Sequence, residues 1–137
     1  MKPILLILII SYFTSINCSV YYVSSNGTGN SCSQQQPCSI SGINQFPLAT
    51  DDIIQFGCGN FTGLDVGIKV ERLSVNGAST GCTIFKSANC MILTGRITIT
   101  NITFLDCVNS VFIKEHIFNL TMQNIKMICN LFLLFLL

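Results

Sequence analysis

Charged residues are scarce in this sequence. Seven Lys and Arg and six Asp and Glu among 137 residues give a formal net charge of +1. Nucleic acid or an anionic membrane surface would meet no basic patch on such a chain, so we expect neither as a partner. A surface with so little charge is normally kept soluble by another group, and the candidate here is attached sugar.

Metal-binding and catalytic motifs are lacking too. His116 is the only histidine and no Cys-x-x-Cys occurs, so the close ligand pairs of a zinc site are missing. Asp51-Asp52 could bind calcium or share a proton in sugar hydrolysis. We favour the interpretation that this pair forms a turn in which aspartate caps the backbone. The sequence therefore predicts no metal, cofactor or catalytic residue, and it favours a protein without enzymatic activity.

The N-terminus has the pattern of a secretory signal peptide. Lys2 precedes an unbroken apolar run from Ile4 to Ile10, and small and polar residues follow up to Ser19. The run is too short to span a bilayer, which needs about 20 apolar residues. We therefore predict a signal peptide over residues 1–19 and a protein that is secreted or displayed at the cell surface.

Eight cysteines are present, and Cys18 falls within the predicted signal peptide. In an oxidising compartment the others are expected to form crosslinks. Cys32 and Cys38 flank a polar loop, and a bond between them would stabilise the fold by about 2–3 kcal/mol. Cys82, Cys107 and Cys129 recur at intervals of 25 and 22 residues. These three are predicted to bridge as neighbours or to stack as a ladder.

Four Asn-x-Thr sequons follow the signal peptide, and each would carry a glycan only if it is exposed. We predict glycans on Asn26 and Asn60, with Asn119 as a further candidate. Asn101 aligns with Asn124 in a repeat and could stack inside the fold, where a glycan would not fit. A structural role is therefore preferred for Asn101.

Apolar residues come in short alternating bursts, which predict strands, and no long helical pattern is present. The segment from Ile97 aligns with the segment from Leu120 at an offset of 23 residues, and Leu73 precedes Ile97 by 24. Such periods indicate stacked units that bury their apolar faces on their neighbours. The predicted strands are 20–23, 53–56, 73–75, 83–85, 91–93, 97–100, 102–105, 111–113, 120–122 and 125–127.

Four segments resemble the start of pectin-lyase-like right-handed parallel β-helix proteins. Tyr21 to Gly29 looks like the first strand and polar loop of their N-terminal cap, Asp52 to Gly63 like their opening coil, and residues 72–77 and 96–104 like the following rungs. The resemblance implies an all-β fold: an incomplete right-handed parallel β-helix, or solenoid, of about three to four coils. The cap would span residues 20–50, the coils 51–130 and an apolar tail 131–137.

The β-helix serves polysaccharide lyases, hydrolases, adhesins and surface proteins, so the resemblance specifies fold better than function. We predict a non-catalytic secreted or cell-surface β-helix segment, adhesive or carbohydrate-binding, from a larger extracellular protein. Its expected partner is an extracellular carbohydrate or a surface protein. The alternative is the N-terminal piece of a polysaccharide lyase or hydrolase without its catalytic coils. The apolar tail indicates a truncated product, and a membrane-targeting role is the alternative for it.

Overall fold

The computed structural model describes residues 18–65, 70–86, 90–107, 111–114, 119–128 and 133–136, with 111–114 and 133–136 described by their backbone alone. These residues form one short helix and eleven strands. In chain order they are β1 Val20–Val23, α1 Ile40–Asn44, β2 Asp52–Phe56, β3 Gly59–Phe61, β4 Leu64–Asp65, β5 Arg72–Asn76, β6 Thr83–Phe85, β7 Met91–Leu93, β8 Arg96–Leu105, β9 Val111–Lys114, β10 Leu120–Ile128 and β11 Leu133–Leu136.

The alternating apolar bursts account for the strands. In β2 and β5, for example, buried and partly exposed residues alternate along the chain, because successive side chains of a strand point to opposite faces. Every segment predicted as a strand lies within an observed strand, and that prediction is confirmed. The nine strand pairs within the described ranges are all parallel.

The predicted repeat sets the register of the central strands. Leu73 of β5 lies beside Ile97 of β8, and Ile97 lies beside Leu120 of β10. The alignment at offsets of 24 and 23 residues is therefore confirmed residue by residue. Each repeat therefore adds one strand to the sheet, beside the strand of the previous repeat, and extends the same apolar face.

The strands form two sheets. The larger has seven strands in the order β1-β2-β5-β8-β6-β3, with β10 also paired to β8, and the smaller has the order β11-β9-β7-β4. The first half of β8 pairs with β5 and its second half with β6. Between the two halves Asn101 has a φ of 57°, in the left-handed region, and this residue bends the strand. The large sheet therefore curls around the core.

The predicted right-handed parallel β-helix is wrong. The prediction treated residues 97–100 and 102–105 as separate strands, which in a coil would lie on separate faces. Instead β8 and β10 continue through their bends as single strands of ten and nine residues. Two expected faces thus merge into one curved sheet. The result is a sheet-rich fold with a curled half-barrel of parallel strands, and not a clear right-handed solenoid.

Part of the segment predicted as an apolar tail belongs to a sheet. Residues 133–136 form β11, which pairs with β9 in parallel. The pairing with β9 satisfies the backbone groups on one side of this four-residue strand. The predicted signal peptide lies, except for Cys18 and Ser19, outside the described residues.

The core is centred on four buried phenylalanines, Phe56, Phe61, Phe85 and Phe104. The ring of Phe85 lies 5.1 Å from that of Phe56, edge to face, and 5.5 Å from that of Phe61, nearly parallel. The ring of Phe104 is 6.2 Å from Phe85. Such aromatic pairs contribute about 0.5–1.5 kcal/mol each beyond the area they bury. They connect neighbouring strands of the curled sheet.

A disulfide-bonded loop covers the outer edge of β1. Tyr22 donates its N–H to the carbonyl of Cys32 (2.7 Å) and accepts from the N–H of Cys38 (3.0 Å). Ser24 donates to the carbonyl of Cys38 at 3.0 Å. The backbone groups at this end of the large sheet are therefore paired. Directly after the loop, Ser39 caps the N-terminus of α1 by accepting from the N–H of Gly42.

Candidate functional site

Three disulfides join Cys32 to Cys38, Cys58 to Cys82, and Cys90 to Cys107. The first is the pair that the sequence predicted. The predicted column of Cys82, Cys107 and Cys129 is wrong for its first two members, because Cys82 is bonded to Cys58 and Cys107 to Cys90. Cys129 lies outside the described residues, and Cys18 is an exposed free thiol.

Strand register explains why Cys82 pairs with Cys58. Gly59 lies beside Thr83 in the β3–β6 pair, so the preceding residues Cys58 and Cys82 are also neighbours, with a Cα–Cα distance of 4.7 Å. Their separation of 24 residues equals the repeat length and could have indicated this pair. The three disulfides are compatible with an extracellular protein. No helix within the described ranges has the length and apolar content to cross a bilayer.

The sequons differ in exposure. Asn26, Asn60 and Asn119 are exposed, as a glycan requires, whereas Asn101 is partly buried. The Asn101 side-chain oxygen accepts a hydrogen bond from the amide of Asn124 at 2.7 Å. Asn124 is exposed, so this asparagine pair lies on the outer side of the bend and not inside the fold.

Left-handed backbone at both bends explains the choice of asparagine. The φ angles of Asn101 and Asn124 are 57° and 53°, and asparagine tolerates this region better than most residues. The hydroxyl of Thr103, which completes the Asn101 sequon, is buried and donates to the carbonyl of Thr80. The side chains of both Asn101 and Thr103 therefore form hydrogen bonds within the fold.

The aspartate pair acts as a turn, as the favoured interpretation held. Asp52 is buried, and its carboxylate accepts the N–H of Ala49 at 2.7 Å and that of Ser19 at 3.0 Å. It thereby connects the approach to β1 with the turn before β2. Among the described residues no three His, Cys, Asp or Glu side chains are grouped as metal ligands. His116 lies outside those ranges.

Asp51 faces the other way and forms an ion pair with Arg72. The Nε and Nη2 atoms of Arg72 donate to the two carboxylate oxygens at 2.5 and 2.6 Å. This bidentate hydrogen bond lowers the pKa of Asp51 below its ordinary value and raises the pKa of Arg72. Such paired contacts hold both planar groups in one orientation.

The strand register places polar side chains in rows on the outer face of the large sheet. Arg72 lies beside Arg96, and the N–H of Ile97 bonds to the carbonyl of Asn119, so one row runs from Asp51 through the two arginines to Asn119. A second row lies two residues further along the strands. It consists of Ser74, Thr98 and Thr121.

These two rows line a groove of about 260 Å³, which we call the outer groove: Asp51, Arg72, Ser74, Arg96, Thr98, Asn119 and Thr121, with Leu73 and Ile97 at its base. Neighbouring parallel strands are about 4.8 Å apart, so the polar groups recur at that spacing across the strands. The groove is open and shallow. It therefore presents hydrogen-bonding groups along a line and does not enclose a small ligand.

The outer groove carries one uncompensated positive charge. Arg72 is neutralised by Asp51, whereas Arg96 is exposed and no described residue forms an ion pair with it. Arg72 and Arg96 each directly precede a predicted strand of the repeat, and the strand register sets them side by side. The hydroxyl row and Asn119 were not recognised from the sequence. Their common register with Leu73, Ile97 and Leu120 was the signal that could have found them.

Comparisons with family models, with curated proteins and with solved structures find no match for this chain. Nothing in them identifies a pectin-lyase-like family, and that resemblance stays a prediction from the sequence.

Proposed function

We propose that the protein is a non-catalytic extracellular protein that binds carbohydrate, in an adhesive role, through its outer groove. The observation that carries the proposal is the linear array of hydroxyl, amide and guanidinium groups on the outer face of the sheet. Sugar chains are extended and rich in hydroxyl groups, so a shallow groove with donors at a regular spacing matches them. Three disulfides suit the oxidising environment that this function needs.

The charge of the outer groove favours sugars that bear carboxylate groups. Arg96 has its donors available, and a guanidinium binds a carboxylate through two parallel hydrogen bonds. The hydroxyls of Ser74, Thr98 and Thr121 would contact the sugar hydroxyls beside it. A neutral glycan would use the hydroxyl row alone and would bind more weakly.

Titration calorimetry with uronic-acid oligosaccharides tests this function. Replacing Arg96 by Ala should weaken binding about tenfold or more, since hydrogen bonds to charged groups contribute about 1.5–3 kcal/mol. Lys86→Ala is the matched control, because Lys86 is exposed and lies outside the outer groove. The control should bind like the original chain. Equal affinity of the Arg96→Ala variant and the original chain, or no binding by either, would refute the proposal.

We extend the proposal to glycosylation and secretion. Asn119 is exposed as well, but a glycan there would occupy the end of the outer groove, so expression in a cell that glycosylates asparagine should place glycans on the exposed sequons at Asn26 and Asn60. Each Asn→Gln substitution at these positions should remove one glycosidase-sensitive shift in mobility, and Asn101→Gln should remove none. Secreted protein without any shift would contradict the glycoprotein proposal. Sequencing the secreted N-terminus tests the predicted signal peptide.

A further inference from the structure

The edge strands of the large sheet differ: β1 and the three-residue β3 end its strand order, and β10 lies beside β8. The backbone of β1 is hydrogen-bonded to the Cys32–Cys38 loop. By contrast, β10 pairs with β8, and among the described residues nothing pairs with its second side. An uncovered strand edge presents a row of free N–H and C=O groups that another strand can bind.

β10 has little protection against such pairing. Natural edge strands are blunted by charges, proline or short length. This strand has nine residues, no proline and a single charge, Lys126. The four apolar residues that pack toward the core, Leu120, Met122, Ile125 and Met127, are only partly buried. In β8, their neighbours Ile97, Ile99, Ile102 and Phe104 are fully buried, because β10 covers them.

The backbone groups that face the open edge belong to these same apolar residues. The N–H of Ile97 bonds to the carbonyl of Asn119, and the N–H of Asp106 bonds to the carbonyl of Ile128. In a parallel ladder, residues that bond to one neighbour alternate with residues whose N–H and C=O point away. The groups of Leu120 and Met122 in the first arm, and of Ile125 and Met127 in the second, therefore point to the open side.

We propose that β10 pairs in an antiparallel sense with β10 of a second copy of this chain, forming a two-fold symmetric dimer. The bend at Asn124 divides β10 into arms of four residues, so a two-fold axis near the bend places each arm on the opposite arm of the partner. One register sets Leu120 opposite Met127 and Met122 opposite Ile125. Every apolar residue that points to the core then faces another, and both cores continue across the interface.

The same register suits the outer side chains. Thr121 lies opposite Lys126 of the second copy, so the two lysines do not face each other. Pairing of β10 with the β1 edge of another copy would build an open filament, but the disulfide-bonded loop already occupies the N–H and C=O of Tyr22 in β1. The β3 edge has only three residues and offers fewer backbone groups to a nine-residue strand. A closed dimer through identical edges is therefore the assembly that this fold favours.

Sedimentation velocity of the disulfide-intact protein over a range of concentrations tests the dimer. All variants carry Asn119→Gln, so that loss of the sequon at Thr121 does not affect the comparison. Thr121→Lys would set a lysine opposite Lys126 twice per dimer, and the dissociation constant of the dimer should rise by up to about tenfold. Thr98→Lys is the matched control, because Thr98 is the neighbour of Thr121 on β8 and lies away from the edge. Thr121→Glu would pair with Lys126 and should tighten the dimer at low salt.

The outcomes separate the alternatives. A dimer that is weakened by Thr121→Lys, retained in Thr98→Lys and tightened by Thr121→Glu supports the proposal. The reference is the chain with Asn119→Gln alone. The proposal is overturned if this chain stays monomeric at every concentration, or if it grows into filaments without a dimer plateau. Equal dissociation by the two lysine variants would also overturn it. Circular dichroism verifies that each variant is folded.

Discussion

Replacing Phe85 by alanine should remove a large part of the stability of this fold. Phe85 has no exposed surface, and its ring contacts three others at centroid distances of 5.1, 5.5 and 6.2 Å. Truncating a buried phenylalanine costs about 3–5 kcal/mol, from lost burial and from the cavity left behind. The three ring contacts favour the upper half of that range, so we expect about 4 kcal/mol.

Urea unfolding with the disulfides intact measures this change. Far-UV circular dichroism is a suitable signal, since the chain has no tryptophan. Ile84→Ala is the matched control, because Ile84 is the neighbour of Phe85 in β6 and points away from the core. The control substitution should lower the unfolding free energy by about 1 kcal/mol or less. A loss below about 1.5 kcal/mol for Phe85→Ala, at an unchanged denaturant slope, would show that the aromatic cluster does not hold the curled sheet together.

Three further predictions concern the turns and the ion pair. Asp52→Ala leaves the N–H of Ala49 without an acceptor, and that of Ser19 too in a chain that retains this residue, and should lower the unfolding free energy in urea by about 1–3 kcal/mol; a change under about 0.5 kcal/mol would contradict the capping role. Because the hydrogen bond from Arg72 lowers the pKa of Asp51, their pairing stabilises the fold above the ordinary aspartate pKa and is lost as pH falls through the lowered one. The titration falls in the range of about pH 5 to pH 2. Over this range the melting temperature of the original chain should therefore drop more than that of Asp51→Asn. Parallel profiles of melting temperature against pH would show that the ion pair does not stabilise the fold. Gly95 has a φ of 93° and an added Cβ would overlap a backbone carbonyl oxygen, whereas Gly63, at a φ of 70°, has open space around it. Gly95→Ala should thus cost about 2–3 kcal/mol and Gly63→Ala about 1 kcal/mol in the same urea assay, and equal costs would exclude the overlap.

The outer groove could be anticipated only in part. Arg72 and Arg96 each precede a predicted strand, and the repeat places those strands side by side. The ion pair of Arg72 with Asp51 was not foreseen, because it depends on which of two adjacent aspartates faces outward. A shift of one residue sends a side chain to the opposite face of the sheet, so this choice follows from the pairing register.

The cysteine pairs, too, could be predicted only in part from the sequence. Cys32 and Cys38 are six residues apart, and a short loop brings them together whatever the rest of the chain does. Cys58 and Cys82 meet only because β3 pairs with β6. Equal spacing alone suggested a column of Cys82, Cys107 and Cys129, and it could not distinguish neighbours in register from residues that merely share a period.

The sequence by itself determined the strands, their repeat of about two dozen residues and the parallel register of Leu73, Ile97 and Leu120, because alternation and periodicity are local properties of the chain. The tertiary structure decided the curvature. Asn101 and Asn124 take left-handed backbone conformations while β8 and β10 continue through them, so two expected faces become one curled sheet. Whether a strand ends or bends at an asparagine depends on hydrogen bonds to strands that are far away in sequence. The order of polar and apolar residues around that asparagine does not contain this information.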